Sequence, residues 1–132
     1  MDDGIRVSTG IGGLDASLDY LRSGDTVTWQ VECIGDYVFA ATQFVTSIAR
    51  TGQRVAYLRF GDHEELIDVE ALRNMGANVK KYALDPSVGF ETFAFHVNRI
   101  ISAEPPGSFF ITDCLSELQK YWFSDQMICN FF

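Results

Sequence analysis

Apolar and polar positions along this chain switch between two periods, which predicts strands and helices in turn. "DTVTWQV" (residues 25–31) is rich in β-branched and aromatic residues and follows the turn signal "RSGD", so it predicts a strand. Residues 37–50 place Val38, Ala41, Val45, Ile48 and Ala49 on one helical face, and "RTGQ" closes that helix with Gly52 as a C′ residue. "RVAYLRF" (54–60) predicts a second strand. "GDHEELIDVEALRNMG" (61–76) predicts a helix with Asp62 as N-cap, Glu65 three positions on in a capping-box arrangement, and Gly76 at its end. "NVKKYAL" (78–84) predicts a more exposed strand, its two lysines suiting a sheet margin. "DPSVGFETFAFHVNRIISAE" (85–104) sets Phe90, Phe93, Ala94, Val97, Ile100 and Ile101 on one stripe, and "PPG" stops that helix. "SFFITD" (108–113) is a short apolar strand, and "CLSELQKYWF" (114–123) opens another helix.

Strands alternating with helices imply an α/β fold, a mostly parallel sheet with helices on both faces joined by right-handed crossovers. Such sheets bind ligands beyond the carboxyl ends of their strands. That rim would carry Glu32 and Cys33, then Gly61, Asp62, His63 and Glu64, then Asp85, and finally Asp113 with Cys114. It is strongly acidic. Residues 1–132 read as one domain. The apolar stretch "SDQMICNFF", with Phe131 and Phe132, leads us to expect a fold that is incomplete at the C-terminus, because an exposed aromatic pair would be an uncovered patch.

Composition narrows the function classes. Hydrophobic residues make up 47% and charged ones 21%, a globular balance, and no apolar run reaches the roughly 18–20 residues that span a bilayer. "MDDGIRVST" is acidic and lacks an apolar h-region, so a cytoplasmic location is expected. Cys33, Cys114 and Cys129 have no metal-type spacing and read as reduced thiols. Neither His63 nor His96 belongs to a ligand pattern, so no metal is expected. Ten basic residues stand against 18 acidic ones, a net charge of −8. Nucleic acid and anionic membrane surfaces are therefore disfavoured as partners.

"VECIGDYVFAATQF" (31–44) sits where a phosphate-binding loop would, between a predicted strand and a helix. Such a loop needs glycines for converging N–H groups, a lysine for charge and a hydroxyl for Mg²⁺. Around it, "STGIGGLD" (8–15), "SGDTVTWQV", "TQFVTSIARTGQRVAYLRF" and "SFFITDCLSEL" follow in order. Together these segments resemble the RecA superfamily of P-loop ATPases, above all its KaiC-like branch, over nearly the whole chain. Anchored on Gln43 and Phe44, the resemblance puts the two loop glycines on Val31 and Asp36, the lysine on Tyr37 and the Mg²⁺-holding hydroxyl on Val38. The Walker A loop is thus degenerate at all four positions. The acidic pair after the second strand falls on Gly61 and Asp62, and the Walker B-type aspartate on Asp113. A narrower likeness, carried by "YLRFGDHEEL", "LDPSVGFETF" and "ITDCLSELQKYWFSDQMICNFF", is to an N-terminal module ahead of phosphoenolpyruvate synthase-type (pyruvate, phosphate dikinase-related) regions in some bacterial and archaeal proteins.

Charge agrees with a lost site. Glu32 and Asp36 would flank the triphosphate, and no lysine lies between Val31 and Arg50. Asp36 is expected to cap the following helix itself. Asp113 reads as a strand-end or capping residue, Asp62, His63 and Glu64 as helix-start residues that could form a small rim site, and His96 as structural or solvent-facing. Ser116 lacks the G-x-S-x-G setting of a nucleophile, "GIGG" lacks a preceding strand, and Trp29 and Trp122 read as core or interface aromatics. The expectation is a non-catalytic regulatory or interaction module without cofactor. It would work through the remainder of its own polypeptide or another protein, or as a homodimer. The alternative is an atypical nucleotide-binding signalling switch using ATP and Mg²⁺ at Asp113 and the Asp62–His63–Glu64 rim.

Overall fold

The computed structural model describes residues 6–60, 64–114, 116 and 118. They divide into two compact units, Met1–Gln53 with Leu66–Asn78, and Arg54–Glu65 with Val79–Phe132.

In the first unit, β1 (Arg6–Val7) pairs antiparallel with β2 (Leu21–Arg22), and α1 (Gly12–Leu18) lies between them in sequence. Arg6 and Arg22 face each other across this ribbon, and Asp19 bridges both, at 3.3 and 3.2 Å. These ion pairs are exposed, so each is worth about 1 kcal/mol at most. The long helix α2 (Ile34–Ala49) buries Ala40, Ala41, Val45 and Ile48 along one stripe. Its closing turn places Gly52 at φ 74, the left-handed conformation foreseen for that glycine.

Residues 25–31, where a strand is expected, form none. They run as irregular chain, and Val27 and Trp29 are about half exposed. Strand propensity reflects fit to a half-buried pleated surface, and this stretch has no ladder partner among the described residues. Trp29 is accordingly not a core residue.

The helix expected over 61–76 is shorter. α3 spans Val69–Asn74, and its N-cap is Asp68, whose carboxylate accepts from the Ala71 N–H at 3.0 Å. Ile67 and Leu72, both buried, occupy the two positions of a hydrophobic staple. Apolar flanking side chains therefore favour the later start. Asp62 lies outside the described residues, and Glu65 pairs with Lys81 at 2.9 Å instead of completing a capping box. Gly76, at φ 95, ends the helix as foreseen.

The second unit holds a three-stranded parallel sheet in the order β4 (Asn78–Leu84), β3 (Arg54–Phe60), β5 (Phe109–Asp113). β3 and β5 run in register from Val55 opposite Phe109 to Arg59 opposite Asp113. β4 lies at the margin, with Lys80 and Lys81 exposed, as its sequence predicts. Asp85 starts a 3-10 turn (Pro86–Val88) by accepting from the Ser87 N–H at 2.9 Å and its hydroxyl at 2.6 Å. α4 (Phe90–Ala103) then packs Phe93 and Val97 against Ala56, Leu58 and Phe60, with Leu84 and Leu118 in the same cluster. The Phe60 and Phe93 rings meet edge to face, 5.0 Å between centroids, a favoured aromatic geometry.

Glu104 ends α4 and is buried. Arg54 approaches it at 2.6 Å, and the Tyr82 hydroxyl donates to it at 2.5 Å. One carboxylate thereby joins the start of β3, the middle of β4 and the end of α4. Removing one partner of such a pair costs about 3–5 kcal/mol.

The tightest backbone approach is in the first unit. Gly10 has φ +86, and a Cβ there would lie 2.1 Å from the Gln43 carbonyl oxygen of α2. Both the conformation and the space exclude a side chain. Gly10→Ala should destabilise the protein by about 2 kcal/mol or more, read as a lowered midpoint in urea unfolding followed by circular dichroism.

Candidate functional site

The segment that the resemblance makes a phosphate loop leads into α2, but not as expected. The helix starts at Ile34, with Cys33 as its N-cap. Asp36 is therefore in the first turn and makes no side-chain capping hydrogen bond, which corrects the N-cap assignment. The helix extends three residues earlier because Ile34, Gly35 and Asp36 adopt helical geometry, and the Asp36 N–H is already bonded to the Cys33 carbonyl at 3.1 Å. A carboxylate in the first turn still complements the helix dipole. Glu32, Cys33 and Asp36 are exposed, while Val31, Tyr37 and Val38 are half-buried. The four loop positions thus present two aliphatic groups, a phenol and a carboxylate.

Asp113 is placed differently. It ends β5, is only 3% exposed, and accepts a hydrogen bond from the Tyr57 hydroxyl. Tyr57 is buried on β3, two residues before Arg59, which lies in register with Asp113. Burial pushes the Tyr57 pKa above its ordinary value, and both the hydrogen bond to Asp113 and the Asp113 charge add to this. The phenol therefore stays protonated and remains a donor at neutral pH. Asp113 is thus a buried acceptor served by a neighbouring strand. Sequence reading could not find Tyr57 as its partner, because 56 positions separate them.

The rim is only partly in view. Gly61, Asp62 and His63 lie outside the described residues, as do Cys129, Trp122, Phe131 and Phe132. Glu64 is exposed, and Asp85 is engaged by Ser87, whose hydroxyl and N–H lower its pKa. Cys33 is exposed and Cys114 half-buried, both as free thiols. His96 is exposed beside the Phe95 ring, and Ser116 is also exposed. Among the described residues, no three His, Cys, Asp or Glu side chains are grouped to hold a metal ion. No described helix is long and apolar enough to cross a membrane.

A third carboxylate was not singled out by sequence. Asp15, in α1, is 6% exposed and gathers the "STG" segment ahead of it. It accepts from the Ser8 hydroxyl at 2.5 Å, the Thr9 N–H at 2.7 Å and the Thr9 hydroxyl at 2.7 Å. Burial raises the Asp15 pKa, but these three bonds outweigh it and hold the carboxyl below its ordinary 3.8. The signal was the quoted "STGIGGLD" itself, in which two hydroxyl residues precede an aspartate by six and seven positions.

Comparison with family models, with curated proteins and with solved structures finds no match for this chain.

Two outcomes follow from these carboxylates. Tyr57→Phe removes the donor from buried Asp113 and should cost about 1–3 kcal/mol in urea unfolding. Because the folded-state pKa of Asp15 is depressed, its contribution to stability is complete above about pH 4 and is lost as pH falls through the folded value. Asp15→Asn should therefore flatten the fall in stability below pH 4, measured as unfolding midpoint against pH beside the parent chain.

Proposed function

We propose that this chain is a non-catalytic RecA/KaiC-like regulatory or interaction module that has lost its ATP loop. The observation that carries this reading is the hydrogen bond from Tyr57 to Asp113, the residue that would otherwise assist Mg²⁺. With a buried donor on the carboxylate and Arg59 in register beside it, Asp113 serves the sheet.

The loop residues support the same reading. A phosphate at the start of α2 would gain about 0.3–1 kcal/mol from the helix dipole. A carboxylate about 4 Å away would oppose it by roughly 4 kcal/mol at an effective dielectric near 20. Glu32 and Asp36 are two carboxylates at that helix start, and no Lys or Arg lies between them and Arg50. Repulsion is the larger effect. The fuller architecture, with helices on both sheet faces, and the action through the rest of the same polypeptide or another protein both belong to this proposal. They rest on the family resemblance.

Isothermal titration with ATP–Mg²⁺ tests the reading. The expected result is no binding in the micromolar range, for the parent chain and for Asp113→Asn alike. Micromolar binding that Asp113→Asn abolishes would overturn it in favour of a nucleotide switch.

A further inference from the structure

The first unit contains a cleft that the lost loop does not explain. One wall is formed by Ser8, Gly10, Gly12 and Asp15, and the other by the face of α2 carrying Gln43, Ser47 and Arg50. These three residues follow at i, i+4 and i+7, so they line one side of the helix. The loop wall is set by the Asp15 hydrogen bonds and by the seat of Gly10 on the α2 backbone. Such a wall needs little ordering when a ligand arrives. Among the described residues, no hydrogen bond or ion pair engages the side chains of Gln43, Ser47 or Arg50.

We propose that this cleft binds a small oxyanion, a carboxylate or phosphate group, with Arg50 as its anchor and Gln43 and Ser47 as neutral donors. The volume, 170 Å³, is below the roughly 300–1,000 Å³ of drug-sized pockets, which suits a small anion or one anionic group. Arg50 caps the C-terminal end of α2, where the helix dipole weakly opposes an anion. Charge-assisted hydrogen bonds from a guanidinium are stronger than that end effect, and its planar fork matches both oxyanions. The arginine prevails over the dipole. Asp15 lines the cleft too and its charge opposes an anion, but it is only 6% exposed and held by three hydrogen bonds from Ser8 and Thr9, whereas Arg50 is exposed. This inference stands on the cleft alone and does not depend on the fate of the ATP loop.

The test is a ¹⁵N–¹H correlation titration of the full chain with sodium phosphate and, separately, sodium acetate, at ionic strength held constant with sodium chloride. Saturable shifts confined to the amides of Gly10, Gly12, Gln43, Ser47 and Arg50 are expected with at least one probe. A response to phosphate alone assigns the site to phosphate esters, and one to acetate alone assigns it to carboxylates. Arg50→Ala should weaken binding about tenfold or more, and Arg50→Lys by less, because the charge remains while the fork is lost. Arg73→Ala, elsewhere in the same unit, should leave binding unchanged. No saturable shift with either probe, or binding that persists in Arg50→Ala, would overturn the proposal.

Discussion

An ionised carboxylate taken out of water costs several kcal/mol unless donors replace its hydration. This chain buries three carboxyl groups among its described residues, Asp15, Glu104 and Asp113. Each is met by hydroxyl or guanidinium donors from segments remote in sequence or from another element. Ser8 and Thr9 serve Asp15, Arg54 and Tyr82 serve Glu104, and Tyr57 serves Asp113. That requirement fixes how the pieces of each unit join. In the first unit it folds the "STG" segment back on α1, and in the second it ties two strands to each other and a helix end to both neighbouring strands.

The same requirement bears on function. A carboxylate that is buried and accepts from a phenol is less accessible to a hydrated metal ion than one facing solvent. Asp113, which the resemblance would make a Walker B-type aspartate, is a buried hydrogen-bond acceptor in this structure. At the start of α2, Glu32 and Asp36 are exposed carboxylates, and Tyr37 stands where the resemblance would place a lysine. The guanidinium of Arg50 lies at the other end of that helix, beside a loop already held in place. The proposed anion cleft and the loop position that the resemblance assigns to phosphate thus lie at opposite ends of one helix.

How much was legible in the sequence depends on the range of each interaction. Periodicity placed β3, β4, β5, α4 and most of α2, because each carries its own burial pattern over several residues. Gly52, Gly76 and the Pro105–Pro106 stop were readable because left-handed turns and prolines act locally. Residues 25–31 were misread, since β-branched composition describes a surface suited to a sheet and says nothing about whether a partner strand is present. Asp36 and Asp62 were assigned as caps where the helices begin at Ile34 and Val69. In α3 the buried staple residues decided the start, and cap chemistry alone did not. The pairs formed by Tyr57 with Asp113 and Arg54 with Glu104, 56 and 50 positions apart, leave no mark on a single sequence.

The proposed function requires that Asp113 and the start of α2 form no metal–nucleotide site. Paramagnetic broadening tests it most directly, with Mn²⁺ and ATP added together to the ¹⁵N-labelled chain. The account predicts that the amides of Tyr57, Asp113 and residues 31–38 keep their line widths as Mn²⁺–ATP reaches millimolar concentration. Selective loss of those signals, reversed by excess Mg²⁺–ATP, would contradict it.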